Sequence, residues 1–243
     1  MVLLAFNAKG IVNLVISVFS GNMYGIVLLA MILFAVFCQI KVKSTLSKWN
    51  RVTPVSRLRA HEAARMILDM NGLYNVQVVH DPGINHNRYD NRTKVVYLTD
   101  EIFDINSIGA IGVAAHECGH AIQYARNYGP INIRNIIAPA VSFCSTAWFW
   151  TLLVGFFLEW MVVIEAGIAF YLFVVLFQLL TLPVEFDASK RAINTLYANE
   201  ILVGNELDGA KQVLSAAAMT YVASFLLSLV QLLRLIFRYG RRR

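Results

Sequence analysis

Four long apolar runs, separated by two polar stretches, set the layout of this chain. The first, Tyr24–Ile40, comes close to the roughly 20 residues needed to cross hydrocarbon, and it ends in the basic cluster Lys41, Lys43 and Lys48. Its basic residues follow the run, and no small-residue cleavage site is visible, so it reads as a retained span over 24–40, not a cleaved leader. The second run, Ile137–Leu158, is free of charge, and the third extends from Trp160 to about Leu182. Only Glu159 to Glu165 separate their cores, which predicts a transmembrane helical hairpin over 137–182. A fourth run, 213–238, is either a fourth span or an interfacial helix. If it crossed, Arg234, Arg238 and Arg241–Arg243 would lie on the face opposite the other basic residues.

The polar stretches carry shorter periodicities. Thr53-Pro54 has the form of an N-cap followed by proline at the first helical position, and the helix so begun would turn Leu58, Ala63, Met66, Ile67 and Met70 inward. Asn71-Gly72 would end it in a left-handed cap. Val76–His80 and Thr93–Thr99 predict two short strands joined by a loop rich in Gly, Asn, Pro and Asp. The second strand is either an ordinary member of its sheet or an edge that receives an extended peptide. Asp104, Asn106 or Ser107 would cap the next helix, about 107–126. The fold class expected is a mainly α membrane protein with three to four transmembrane helices and a small α+β, zincin-like catalytic part. That part would consist of residues 41–135 and a helical segment at 183–212.

Composition agrees with the pattern. Of 243 residues, 58% are hydrophobic and 15% charged, and the mean hydropathy is +0.58, far above a soluble domain. The net charge of +6 fits contact with anionic lipid and a defined orientation. No basic-aromatic array suggests nucleic acid. Twelve Lys and Arg lie between Lys41 and Arg134 and none at the hairpin tip. The positive-inside rule therefore predicts a multi-pass cell-membrane protein with 41–135 in the cytoplasm. Cys38, Cys118 and Cys144 show no disulfide framework.

The chemistry lies at A-A-H-E-C-G-H-A-I-Q, residues 114–123. On a helix, His116 and His120 share a face and can offer imidazoles to one ion. Glu117 stands about 100° round the helix, placed to act as general base on a metal-bound water. Zinc would bring that water's pKa from about 15.7 toward 7 and polarise the scissile carbonyl. A lone apolar helix with two incidental histidines is the plain alternative. The half-motif His61-Glu62-Ala63-Ala64-Arg65, which ends in arginine, reads as a surface helix face only. Cys118 cannot face the ion with the histidines and reads as a packing residue.

A catalytic zinc takes three protein ligands and keeps one position open. L-P-V-E-F-D-A-S-K-R-A, residues 182–192, follows the third run. Two crossings return the chain to the face where His116 and His120 already lie, so Glu185 is the expected third ligand and Asp187 the fallback. Pro183 is expected at a helix start, with Glu185 in its first turn, where an acidic residue is favoured in any case. The oxyanion donor is not marked by any motif; Arg191, Tyr197 and His80 are the candidates.

These two motifs, with N-G-L-Y-N-V at 71–76 and A-A-A-M-T-Y-V-A at 216–223, resemble the YugP-type neutral zinc metallopeptidases of bacterial membranes over about 24–238. The resemblance implies a gluzincin-like membrane peptidase with one Zn2+ per chain, His116, His120 and Glu185 as ligands and Glu117 as the catalytic residue. The E-F-x-A spacing is also similar to HtpX and CAAX-prenyl-protease type enzymes, in which an acidic residue stands four after the ligand glutamate. Here that position is Ser189, so Asp187 and Ser189 are the candidates to support the ligands from outside. Arg88-Tyr89-Asp90 stands where the family pattern would have His-Tyr-Asp, and Arg88 is given no role.

The function expected is a zinc-dependent endopeptidase cutting proteins or peptides at the cytoplasmic membrane surface, with lipid as its other partner. Two readings compete with it. A catalytically idle metal-binding scaffold would leave Glu117 without a duty. A site-2-type intramembrane protease needs its motif inside a span, whereas here only the eight residues Ile108–Ala115 form an apolar lead-in to His116.

Overall fold

The computed structural model describes residues 23–83 and 86–239; Arg241–Arg243, which bear on the fourth run, lie outside the described residues. In chain order the elements are α1 (Met23–Trp49), α2 (Ala60–Met70), β1 (Gln77–His80), β2 (Arg88–Asp90), β3 (Val95–Leu98), α3 (Ile108–Ala125), α4 (Gly129–Phe157), α5 (Met161–Ala198) and α6 (Asn205–Tyr239). Four of them, α1, α4, α5 and α6, are long and apolar enough to cross a membrane. The chain divides into two compact units. Of the described residues, one takes those within 23–38, 137–179 and 221–239, and the other takes those within 39–136 and 180–220.

In the first unit, which also takes part of α1, the apolar parts of α4, α5 and α6 share a centre. Tyr171, Val175 and Leu232 are buried at its centre, with Trp148 and Phe225 packed against them. Gly155 and Gly167 let α4 and α5 approach backbone to backbone. A Cβ at Gly155 would lie 2.8 Å from the Ile164 nitrogen, and one at Gly167 would lie 3.0 Å from the Leu152 nitrogen. Large apolar side chains such as Phe143, Trp150, Phe156 and Leu176 point outward. Hydrocarbon, not water, is the solvent that suits such a surface.

The second unit has its own core, in which α2 and α3 pack together with the sheet and with buried residues of α5 and α6. Ile67, Leu68, Val96, Leu98, Ile111 and Leu196 are fully buried there. The strand order is β1-β3-β2, with β1 parallel and β2 antiparallel to β3. This corrects two expectations. Arg88–Asp90, read as loop, forms a third strand, and its register pairs Tyr89 with Val96. Val95–Leu98 is the central strand, paired on both sides, so it has no free edge on which a peptide could add.

Helix starts also differ from the local signals. Thr53-Pro54 does not open a helix, because Arg57 takes a left-handed conformation (φ 53°) that ends the turn begun at Pro54. The helix α2 begins at Ala60, where the amides of Ala60 and His61 bond to the carbonyls of Ile105 and Phe103 at 3.0 and 3.2 Å. Glu62, assigned to a plain surface face, caps this start by accepting from the Arg59 amide at 2.8 Å. Arg65 donates to the Leu73 carbonyl at 3.0 Å, tying down the segment that leads into β1. Pro183 is likewise not at a helix start. It lies inside α5, which runs unbroken from Met161 to Ala198. Proline has no N–H to offer the Leu179 carbonyl, and Leu179 is the last α5 residue of the first unit.

Candidate metal centre

The helix α3 starts where the Ser107 hydroxyl accepts from the Ala110 amide at 3.1 Å. The same hydroxyl donates to the Asn50 side-chain oxygen at 3.1 Å. Ile111, Ala114, Ala115, Cys118 and Ile122 bury one broad face of the helix, so the helix is fixed in rotation. That rotation carries His116 and His120 round to α5. Gly119 sets the spacing, since a Cβ there would lie 2.4 Å from the Ala188 carbonyl oxygen. Without a side chain at 119 the two backbones touch, and Glu185, one turn before Ala188, reaches the histidines.

The three side chains converge. Nε2 of His116 and Nε2 of His120 lie 3.2 and 3.6 Å from Oε2 of Glu185, and one ligand atom from each residue falls within 4.8 Å of the other two. The imidazoles stand edge to face with centroids 4.7 Å apart. Metal–nitrogen and metal–oxygen bonds of about 2.0–2.2 Å at tetrahedral angles put neighbouring donors roughly 3.3–3.5 Å apart. Both histidine-to-glutamate distances are close to that, and two imidazoles with one carboxylate is a zinc donor set. The residues fit the ion. Among the described residues this is the one cluster of three or more His, Cys, Asp or Glu side chains so arranged.

The outer nitrogens are engaged too. Nδ1 of His116 lies 3.2 Å from the Ser189 hydroxyl, and Nδ1 of His120 lies 3.0 Å from Oε1 of Gln123. For Nε2 to present a lone pair to a metal, Nδ1 must carry the proton and donate outward, and both partners can accept it. Gln123 is itself fully buried, and its amide nitrogen donates to the Val184 carbonyl and to Oδ2 of Asp187, both at 2.8 Å. Asp187 in turn accepts from Nε of Arg191 at 2.5 Å. These contacts fix which way Gln123 points, and so which atom faces His120. Glu185 is 3% exposed, and its second oxygen, Oε1, lies 3.5 Å from Nη1 of Arg134. For His120, burial alone would push the pKa down; the hydrogen bond with Glu185 and the charges of Glu117 and Glu185 outweigh it and hold the group above its ordinary value.

The structure therefore gathers His116, His120 and Glu185 and sets Ser189 directly behind His116. Asp187 is one step further out, with Gln123 between it and His120. Of the oxyanion candidates, Arg191 is held by Asp187 and the ring of Tyr128, and His80 is paired with Asp100 at 2.5 Å. Tyr197 is 66% exposed. Cys118 is fully buried with its thiol toward the Ala64 carbonyl, and burial pushes the thiol pKa up. Gln123 and Arg134 were not singled out from sequence. For Gln123 a signal existed, a glutamine three after His120 on an otherwise apolar helix face. For Arg134 there was none. Replacing Gln123 by leucine removes the acceptor behind His120, so metal affinity should fall about 10- to 100-fold, read by competition with a chromophoric chelator.

Paired histidines on one helix and a glutamate from a later one form a candidate metal site in a chain with four span-length apolar helices. The chain belongs to the family described as "Putative neutral zinc metallopeptidase", whose model matches residues 24–240. It is 43% identical over 207 residues to the "Putative membrane protease YugP" of Bacillus subtilis (strain 168), covering 84% of this chain and 92% of that protein. No solved structure matches the chain at a significant level.

Proposed function

We propose that this protein is a zinc-dependent endopeptidase that works at the cytoplasmic surface of the membrane. The observation that carries the reading is the convergence of His116, His120 and Glu185 to within 4.8 Å of one another. Held by these three residues, zinc would polarise a scissile carbonyl and acidify water at its open position. Glu117, 8% exposed and next to His116 on α3, then takes the proton of the attacking water and passes it to the leaving amine. Ser189 and Gln123 keep both imidazoles turned with Nε2 inward. Arg134 engages Oε1 of Glu185 and leaves Oε2 for the metal.

Two sequence features support the orientation. Twelve Lys and Arg lie between Lys41 and Arg134, and none lies at the α4–α5 tip. If α4 and α5 both cross, Glu185 returns to the side of His116, as their shared unit requires. A single cysteine at exposed position 101 should react with a membrane-impermeant maleimide only after the cells are opened. Labelling in intact cells would reverse the topology. For the activity, detergent-purified protein should degrade an unfolded protein such as casein, stop with a chelator and resume with zinc. Hydrolysis that persists in metal-free protein would remove the proposal.

A further inference from the structure

Beside the metal centre, α5 and α6 enclose a groove of about 400 Å³ within the second unit. Helical spacing explains its place. Glu185 and Ser189 are four apart and face the histidines, while Phe186, Lys190 and Ile193 form the next stripe round the helix and face the groove. Leu214 and Ala218 of α6 are buried and complete an apolar floor, and Lys190 and Lys211 are exposed beside it. Among the described residues neither lysine has a carboxylate within ion-pair distance. Ser189 belongs to both sites, because it lines the groove and lies 3.2 Å from Nδ1 of His116.

We infer that this groove is a substrate subsite, one that takes an apolar side chain of the peptide and pairs a neighbouring acidic side chain with Lys190 and Lys211. The inference rests on the peptidase reading above and deepens it. The volume lies at the small end of ligand pockets, enough for one or two side chains and not for a folded partner. Half of the ten lining residues are polar, Ser189, Asn194 and Ser215 besides the lysines. Serine and asparagine can hydrogen-bond a peptide backbone. Two exposed cations with no carboxylate in ion-pair distance among the described residues, beside an apolar floor, select a ligand that is apolar and acidic at once.

Binding can be separated from turnover with zinc-loaded Glu117→Gln protein in phosphatidylcholine nanodiscs. Three fluorescent peptides serve as probes, each with one phenylalanine flanked by glutamate, serine or lysine. The glutamate peptide should bind about 3- to 10-fold more tightly than the serine peptide, the size expected for two partly exposed charge pairs, and added salt should erode the difference. The double reversal Lys190→Glu with Lys211→Glu, at exposed positions, should move the preference to the lysine peptide. Equal binding of all three peptides overturns the inference. So does a preference that survives the double reversal, or phosphatidylglycerol nanodiscs that engage the lysines while the peptides stay undiscriminated. The parent enzyme with the same peptides tells the two readings apart. Discriminating binding to Glu117→Gln without cleavage by the parent leaves only a peptide-binding groove and removes the peptidase, and equal cleavage of all three removes the subsite and leaves the peptidase.

Discussion

Glu117→Gln should keep its zinc and lose hydrolysis by about 10²- to 10⁴-fold, the usual contribution of a positioned general base. The substitution keeps the side-chain volume and removes the ability to take a proton. Because Glu117 lies on α3 between the two candidate ligand histidines, and not among the donor atoms that converge on Glu185, the metal should be held as before. The split between the two readouts carries the information. Loss of zinc along with activity would make Glu117 a ligand or a folding residue. Full activity would make it a bystander, and the base would have to be sought elsewhere.

Gly119→Ala should be the most damaging single-methyl change in the site. By helix propensity alone, alanine would stabilise the middle of α3 by about 1 kcal/mol over glycine. Packing reverses the sign. The new Cβ would lie 2.4 Å from the oxygen, 3.0 Å from the carbon and 3.2 Å from the Cα of Ala188, all backbone atoms of α5 that cannot swing aside. Either helix must move, and overpacking of this kind costs about 1–3 kcal/mol or more. Movement of α5 also carries Glu185 away from His116 and His120, so the zinc content should fall with the melting temperature. Gly129→Ala, where nothing lies within 4 Å of the added Cβ, is the matched control and should change neither. A Gly119→Ala protein with normal zinc and normal melting would mean that α3 and α5 do not hold the site by this contact.

What could be read from the chain was whatever depended on local spacing. His116 and His120 are four apart on one helix, and that relation survives any tertiary arrangement. Glu185 was reached by counting crossings, another property that needs no packing detail. The apolar runs likewise marked the four long helices, although all four extend beyond the runs into the second unit. Most of the failures share a cause in long-range pairing. Pro183 looked like a helix start, but α5 continues through it. Thr53-Pro54 looked like a cap, but Arg57 turns left-handed, and the amides of Ala60 and His61 find carbonyls more than forty residues away. Val95–Leu98 could not be ranked as edge or centre without knowing that the three residues Arg88–Asp90 pair with it. Arg134 takes its role from Glu185 opposite it on α5, which no spacing within its own helix encodes, whereas the spacing of Gln123 from His120 was visible but its tie to Asp187 was not.

The central claim is that His116, His120 and Glu185 hold one zinc, and elemental analysis of the detergent-purified protein tests it most directly, with His120→Ala and Glu185→Ala run alongside. About one zinc per chain in the parent and little in either variant is the expected result. No zinc in the parent after metal-replete purification would contradict the account, and zinc retained in Glu185→Ala would remove α5 from the metal site.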